Sequence, residues 1–306
     1  MQYKYYITDV FTNKPFDGAQ IAVFPNADGL DQASMQLLAR ELNLSETAFV
    51  FSSTNGTGKR RVRIFTPSTE IDFAGHPIIA IGHVLASIGD IKLEQKHTPL
   101  LIEQNSGVIE ANVTQEEGKP SLVQFSLETN PTIDRFVPVD KDIAAVVSLS
   151  ESDIDNSQFQ SRLVFTDQSY LIVPIKSYTA VRNAKFNFST WSQSIAPTCM
   201  AKEILLFSKQ TDVEHSNFHA RLTGPDIGIH DDPPIGSSMP AFTSYLCDHD
   251  HISEGTHTFV IDRGSAKIRK SVLNIEMDKK KNESLKIRVG GPAVIVGEGT
   301  MTISDK

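Results

Sequence analysis

Two stretches of the chain carry side chains able to move protons or hold anions, and the two resemble each other. The first reads Arg63-Ile64-Phe65-Thr66-Pro67 and then Ala74-Gly75-His76-Pro77. The second reads Arg221-Leu222-Thr223-Gly224-Pro225 and then Pro234-Ile235-Gly236-Ser237-Ser238. In each, an Arg-(Ile/Leu)-x-x-Pro strand signal leads to a glycine followed by an imidazole or hydroxyl side chain. A helix-like run begins at once after it, over 78–86 and 241–247. Helix N-termini offer unpaired N–H groups and partial positive charge, which suits an anionic substrate group.

Four side chains in or near these stretches could carry chemistry. Glu46, in Leu44-Ser45-Glu46-Thr47-Ala48-Phe49, stands where a helix end meets an apolar strand. Lost solvation there raises a carboxylate pKa toward the range useful for proton transfer. An exposed glutamate at a strand start fits the local sequence as well. His76 precedes Pro77, which restricts its backbone and holds the imidazole in a defined direction at a helix head; a capping or packed histidine is the alternative. Asp232 and Ser237 flank Pro233-Pro234 and Gly236. The prolines stiffen that turn, and the glycine lets backbone approach a ligand. Asp232 could hold an ammonium or hydroxyl group and Ser237 could donate to a carboxylate, although both residue types are also ordinary N-caps.

Other constellations say less. His215 and His219 lie in a segment that reads as strand and so share no helix face, and His249-Asp250-His251 reads as a polar turn. No third ligand is implied, and metal binding has no support. Ser237 lacks a Gly-x-Ser-x-Gly context, which argues against hydrolase chemistry. There is no Gly-x-Gly-x-x-Gly and no Gly-x-x-x-x-Gly-Lys-(Ser/Thr), so nucleotide binding is unsupported.

The elements that must position these residues follow from the hydrophobic pattern. Strands are expected over 4–10, 21–24, 48–51, 61–65, 100–103, 108–113 and 122–127. In the second half they are expected over 163–165, 170–173, 204–207, 218–222, 257–261, 272–277, 285–289 and 293–296. Asp31 reads as an N-cap, and Met35, Leu38, Ala39 and Leu42 form the stripe of an amphipathic helix ended near Asn43. Further helices are expected over 77–88, 141–147 and 190–195. Lys279-Lys280-Lys281 reads as a solvated hairpin turn.

The 306 residues suffice for two domains, and the internal repeat favours that division. Residues 128–132 are the best link, giving lobes of 1–127 and 128–306, with the final strand free to return to the N-terminal lobe. The pattern predicts an α+β fold of two pseudo-symmetric lobes, each a curved sheet or barrel wrapped around a central helix, with one site between them. The chain is 40% hydrophobic and 22% charged with a formal net charge of −8, which argues against a broad nucleic-acid surface but not against small anionic substrates. The start lacks the apolar region of a signal peptide, no run approaches a membrane span, and Cys199 and Cys247 are read as reduced thiols in the cytoplasm.

Taken together, the segments resemble the phenazine-biosynthesis PhzF family, within the diaminopimelate-epimerase fold superfamily. The matching text is Asp9-Val10-Phe11-Thr12, Pro15-Phe16-Asp17-Gly18, Leu44 to Val50, Ile64-Phe65-Thr66-Pro67, Ala74-Gly75-His76-Pro77, Asp232-Pro233 with Gly236-Ser237, and Gly290-Gly291-Pro292-Ala293-Val294. These segments run in family order across nearly the whole chain. The resemblance implies a cytosolic, cofactor-independent protein, commonly a homodimer, with no nucleic-acid or membrane partner. It maps the family's catalytic glutamate onto Glu46, its Gly-His pair onto Gly75 and His76, and its Asp, Gly and Ser onto Asp232, Gly236 and Ser237. In the phenazine enzyme itself the glutamate shuttles a proton across the ring of a dihydro-hydroxyanthranilate.

This sequence departs from the family at Ala19-Gln20, where Asn-Pro or Asn-Ser is usual, at Ile235, where Thr is usual, and at Ser238, where Ala is usual. Related racemases oppose two cysteines as bases; here the corresponding turns carry no thiol. The implied function is an isomerase acting on a small carboxylate-bearing substrate, cyclic amino acid-like molecules among them. Glu46 would be the acid/base, His76 and Asp232 would orient substrate, and Ser237 with the N–H groups of Gly75 and Gly236 would hold the carboxylate. A catalytically weak small-molecule binding protein, and a lyase or hydratase using the same glutamate, are the alternatives.

Overall fold

Runs of alternating or continuous apolar residues set much of the chain into strands, and helices enter where the period changes. In the computed structural model the described residues are 1–52, 59–166, 168–195, 199–225, 227, 233–249, 252–265, 268–281 and 284–303. They group into two units, Met1–Leu127 with Arg269–Leu273 and Arg288–Lys306, and Glu128–Ile268 with Asn274–Ile287.

The first unit contains β1 (Gln2–Val10), β2 (Ala19–Phe24), β3 (Glu46–Phe51), β4 (Lys59–Phe65), the short β5 (Glu70–Ile71), β6 (His97–Gln104), β7 (Gly107–Glu116) and β8 (Lys119–Thr129). Helix α1 (Gln32–Leu42) connects β2 to β3, and α2 (Gly75–Ser87) connects β5 to β6. Pairing runs β1–β2–β3–β4–β6–β7–β8, antiparallel except at β2–β3 and β4–β6. Parallel neighbours need a crossover, and α1 and α2 are those crossovers.

The two helices are built differently because they meet different surroundings. In α1 the Asp31 side chain accepts the Ser34 N–H at 2.8 Å, and Asn43 closes the helix in the left-handed conformation with φ 50°. Met35, Leu38 and Ala39 form one buried stripe, packed with Phe24, Phe49 and Phe65, while the opposite side of the helix is exposed. In α2 every residue from Gly75 to Ala86 except His83 is buried, and the helix packs against β1, β2, β3 and β7. Its sequence, Gly-His-Pro-Ile-Ile-Ala-Ile-Gly-His-Val-Leu-Ala-Ser, is apolar almost all round, the composition of a helix without a solvent face.

The second unit contains β9 (Thr132–Asp134), α3 (Asp140–Val146), a 3₁₀ turn (Glu151–Asp153), β10 (Arg162–Phe165), β11 (Ser169–Pro174), α4 (Tyr178–Asn183), α5 (Phe188–Thr190) and a π-helical turn (Trp191–Ile195). There follow β12 (Glu203–Ser208), β13 (Phe218–Thr223), a 3₁₀ turn (Gly236–Ser238), α6 (Met239–Cys247), β14 (Gly255–Ser265), β15 (Ile268–Lys279), β16 (Leu285–Gly291) and β17 (Ala293–Thr302). β17 pairs antiparallel with β1 and belongs to the first unit, as do residues 269–273 of β15 and 288–291 of β16. Pairing in the second unit runs β10–β11 antiparallel, β11–β12 parallel, β12–β13 antiparallel and β13–β14 parallel. That is the pairing order of β1–β2–β3–β4–β6, with α6 standing in the chain where α2 stands. Met239 to Leu246 are buried, and the Phe242 ring packs on Phe207 and Phe218 at 5.0 and 5.4 Å.

Three expectations need correcting. The helix expected over 190–195 is a π-helical turn preceded by α5. β5 and α4 were not expected; both are too short to show a period. Lys279 is not simply solvated: its Nζ donates to the carbonyls of Cys247 and Ile252 at 2.7 and 2.8 Å, closing the end of α6.

Candidate active site

Glu46 opens β3. It pairs in register with Ile21, which itself pairs with Thr8, so these three side chains share one sheet face. The opposite face carries Phe24, Phe49 and Phe65 and is covered by α1. The preceding Ser45 hydroxyl is tied to the Gln20 carbonyl at 3.1 Å. Glu46 as a residue is half-buried, but its Oε2 is fully covered and meets no hydrogen-bonding group. Burial without a partner disfavours the anion, and it raises the Glu46 pKa to about 7.

His76 is the second residue of α2 and is 3% exposed. The helix starts at Gly75 because Ala74 is extended, and an alanine gives the first turn no side-chain cap. The Phe11 ring meets the imidazole edge-on, with centroids 5.1 Å apart. Phe125 covers Gly75 so closely that a Cβ there would lie 2.6 Å from its Cζ, so the position requires glycine. Behind the turn, the Gln104 carboxamide hydrogen-bonds both the N–H and the C=O of Ala74.

In the second unit the 3₁₀ turn Gly236–Ser238 delivers the chain into α6. Gly236 is buried and Ser237 is half-buried, its hydroxyl engaging no described residue. Ser238 is buried and its hydroxyl is taken by the Ile235 carbonyl at 2.7 Å. Ile235 is itself fully buried. Asp232 lies outside the described residues. Two surface pockets of this unit, about 230 and 450 Å³, lie around Asp248 near the end of α6, and neither is lined by Gly236 or Ser237.

Glu46, Gly75 and His76 thus belong to one unit, and Gly236 and Ser237 to the other. The paired arginines of the near-repeat do not point to chemistry. Arg63 grips Glu70 with two nitrogens, and Arg221 donates to the carbonyls of Val181, Arg182 and Ala184 at the end of α4. His219 faces Asp262 in a buried pair beneath the Tyr178 ring, away from His215, which is exposed. Among the described residues no group of three or more His, Cys, Asp or Glu is placed to hold a metal. Sequence reasoning passed over Phe11 and Gln104, since neither residue type nor local spacing marks contacts to residues 30 or more positions away.

The fold is that of the PhzF proteins. A PhzF-family phenazine biosynthesis protein of Bacillus anthracis superposes with a TM-score of 0.86 at 24% identity, over 99% of this chain and 100% of that one. A hydroxyproline epimerase of Agrobacterium vitis shares the fold more distantly, with a TM-score of 0.65 at 11% identity over 99% of this chain and 93% of that one. By sequence, residues 8–299 match the family described as phenazine biosynthesis-like protein, and the chain belongs to that family. An uncharacterised isomerase of Mesorhizobium japonicum is 28% identical over 98% of both chains. The trans-2,3-dihydro-3-hydroxyanthranilate isomerase of Pseudomonas fluorescens is 27% identical over 98% of this chain and 100% of its own length. Among the described residues no helix is long and apolar enough to cross a membrane.

Proposed function

We propose that the protein is a cofactor-independent isomerase in which Glu46 takes a proton from one atom of a small carboxylate-bearing substrate and returns it to another. The observation that carries this reading is the Glu46 carboxylate itself, covered, without a partner at Oε2, and raised to about 7. A group with that pKa exchanges protons in both directions at neutral pH, as a single acid/base in an isomerisation must. Membership in a family whose named relatives include isomerases favours the same chemistry.

His76, held against Phe11, orients the substrate, with Asp232 assigned the same task on its motif alone. The N–H groups of Gly75 and Gly236, together with the Ser237 hydroxyl, hold the carboxylate. Each sits at the entrance to a helix, where donors lack internal acceptors. In this reading each unit is a lobe of curved sheet around its central helix, α2 or α6. The protein works in the cytoplasm as a homodimer, a state that sedimentation would test.

Solvent-deuterium exchange decides the proton-transfer step, with trans-2,3-dihydro-3-hydroxyanthranilate as first probe because a relative carries that name. Glu46→Gln keeps the shape but cannot carry a proton. It should lower exchange about 10²–10⁴-fold while leaving ligand affinity largely intact. Ser237→Ala should instead weaken binding by about 1.5–3 kcal/mol, as for a hydrogen bond to a charged group. Full exchange in Glu46→Gln would remove Glu46 as the base. Binding without exchange in the parent protein would leave a binding protein rather than an isomerase.

A further inference from the structure

We propose that Gln104 is a positioning residue that fixes the Ala74-Gly75-His76 turn, and through it the direction of the His76 imidazole and of the Gly75 N–H. Its functional part rests on the roles given above to His76 and Gly75; its geometric part does not.

Gln104 is the last residue of β6 and is 3% exposed. Its Oε1 accepts the Ala74 N–H at 3.2 Å, and its Nε2 donates to the Ala74 carbonyl at 3.4 Å. One buried amide therefore engages both backbone groups of a single residue, the N-cap of α2. Ala74 has no side chain that could cap the helix, and its own N–H is held by a group 30 positions away. The neighbouring residues continue the grip. Asn105 Nδ2 donates to Glu70 Oε1 at 3.0 Å, and the Ser106 N–H donates to the Asp72 carbonyl at 3.2 Å. The approach to α2 is thus held at 70, 72 and 74 by three consecutive residues at the β6–β7 turn.

The opposite side of the turn is equally fixed. Phe125 lies over Gly75 and the Phe11 ring lies against His76. The imidazole has an aromatic wall on one side, and its backbone is pinned on the other. Without Gln104 the Ala74 N–H would be buried and unpaired, a state folded chains avoid by moving the backbone. Movement at residue 74 is carried directly to Gly75 and His76. A displaced donor or orienting ring holds the substrate less well, by roughly the worth of one hydrogen bond.

The test uses the full chain with ¹³C-labelled histidine, the His76 ring cross-peak being assigned by its loss in His76→Gln. Gln104→Leu should shift or broaden the His76 cross-peak while the other histidine signals stay in place. Gln104→Glu, which keeps an acceptor for the Ala74 N–H, should give an intermediate shift. Leu171→Ala, a buried core truncation in the second unit, serves as a destabilised control that should leave the His76 signal unmoved. With trans-2,3-dihydro-3-hydroxyanthranilate as probe, Gln104→Leu should raise KM about tenfold and change kcat less, the loss of roughly one hydrogen bond to substrate. A His76 cross-peak in Gln104→Leu superposable on that of the parent overturns the proposal. Should Gln104→Leu not fold, an unmoved cross-peak in Gln104→Glu overturns it equally. If Glu46→Gln keeps full exchange, the proton-transfer reading falls while the cross-peak still judges Gln104.

Discussion

Arg269 closes on Asp9, 260 residues away in the chain. Asp9 is wholly buried near the end of β1, where its Oδ2 also accepts the Phe16 N–H at 2.7 Å. Arg269 donates further to the carbonyls of Gly18 and Asp17, at 3.0 and 2.9 Å, so the β1–β2 loop is pinned to the start of β15. Desolvation dominates at Asp9 and raises its pKa, although the Phe16 N–H and Arg269 pull it down. Arg269→Ala would leave that carboxylate buried without its cation. We expect a loss of about 3–5 kcal/mol in urea unfolding at neutral pH. Asp9→Asn combined with Arg269→Leu should recover a large part of it. Strictly additive losses in the double variant would show that the two residues do not act as a pair.

The same loop carries Phe11, whose ring packs on His76 from a backbone with φ 61°. Positive φ is strained for a bulky residue, and here it is held by the Val272 N–H, which donates to the Phe11 carbonyl at 2.8 Å. Gly291 faces the ring, and a Cβ added there would lie 2.4 Å from Phe11 Cδ1. Gly291→Ala should therefore push the ring off its seat, lowering stability by about 1–3 kcal/mol and displacing the His76 ring resonance. A variant as stable as the parent, with an unmoved resonance, would mean that Phe11 does not set the His76 environment.

How far the sequence reached depends on the distance over which each interaction acts. The Asp31 N-cap and the stop at Asn43 were legible because capping is local. The start of α2 at Gly75 and His76 was legible in the glycine and proline there, and its burial accords with an all-apolar composition. The raised pKa of Glu46 was legible in outline, since an acid beside an apolar strand start tends to lose solvent. The contacts of Gln104 with Ala74, of Arg269 with Asp9 and of Gly291 with Phe11 were not, because each joins segments whose proximity only the fold creates. Lys279 was misjudged for the same reason. Three adjacent lysines look solvated until two carbonyls from α6 and the turn after it arrive beside one of them.

Cys247 offers a check on the chemistry the protein should not use. Burial pushes its thiol up to about 11, with the Lys279 ammonium pulling the other way. The thiol also lies 3.4 Å from the Met277 sulfur. Thiolate is the reactive form, so alkylation of Cys247 by iodoacetamide near pH 8 should run roughly two orders of magnitude slower than for a free cysteine. Rapid alkylation at that position would reopen thiol-based proton transfer. Peptide mapping of the modified site would separate Cys247 from Cys199, whose thiol burial also raises.

Glu46 makes the sharpest prediction about pH. Its carboxyl holds a proton up to about 7 in the folded chain, against an ordinary value of 4.5. Between those values the folded form binds a proton that the unfolded form has released. The contribution to stability is therefore complete below the ordinary value and is lost as pH rises through about 7. Glu46→Gln cannot ionise and escapes this loss. Its stability relative to the parent should climb between about pH 4.5 and 7 and then level off. The climb is at most about 3 kcal/mol and less in practice, because part of the residue remains in contact with solvent. Urea unfolding of both proteins at several pH values across that window would measure it. Exchange activity in the parent should titrate over the same range, since the ionised form takes the proton and the neutral form returns it. A stability difference that stays flat from pH 4.5 to 7.5 would mean that Glu46 keeps an ordinary carboxyl pKa, and with it the case for Glu46 as the base would fall.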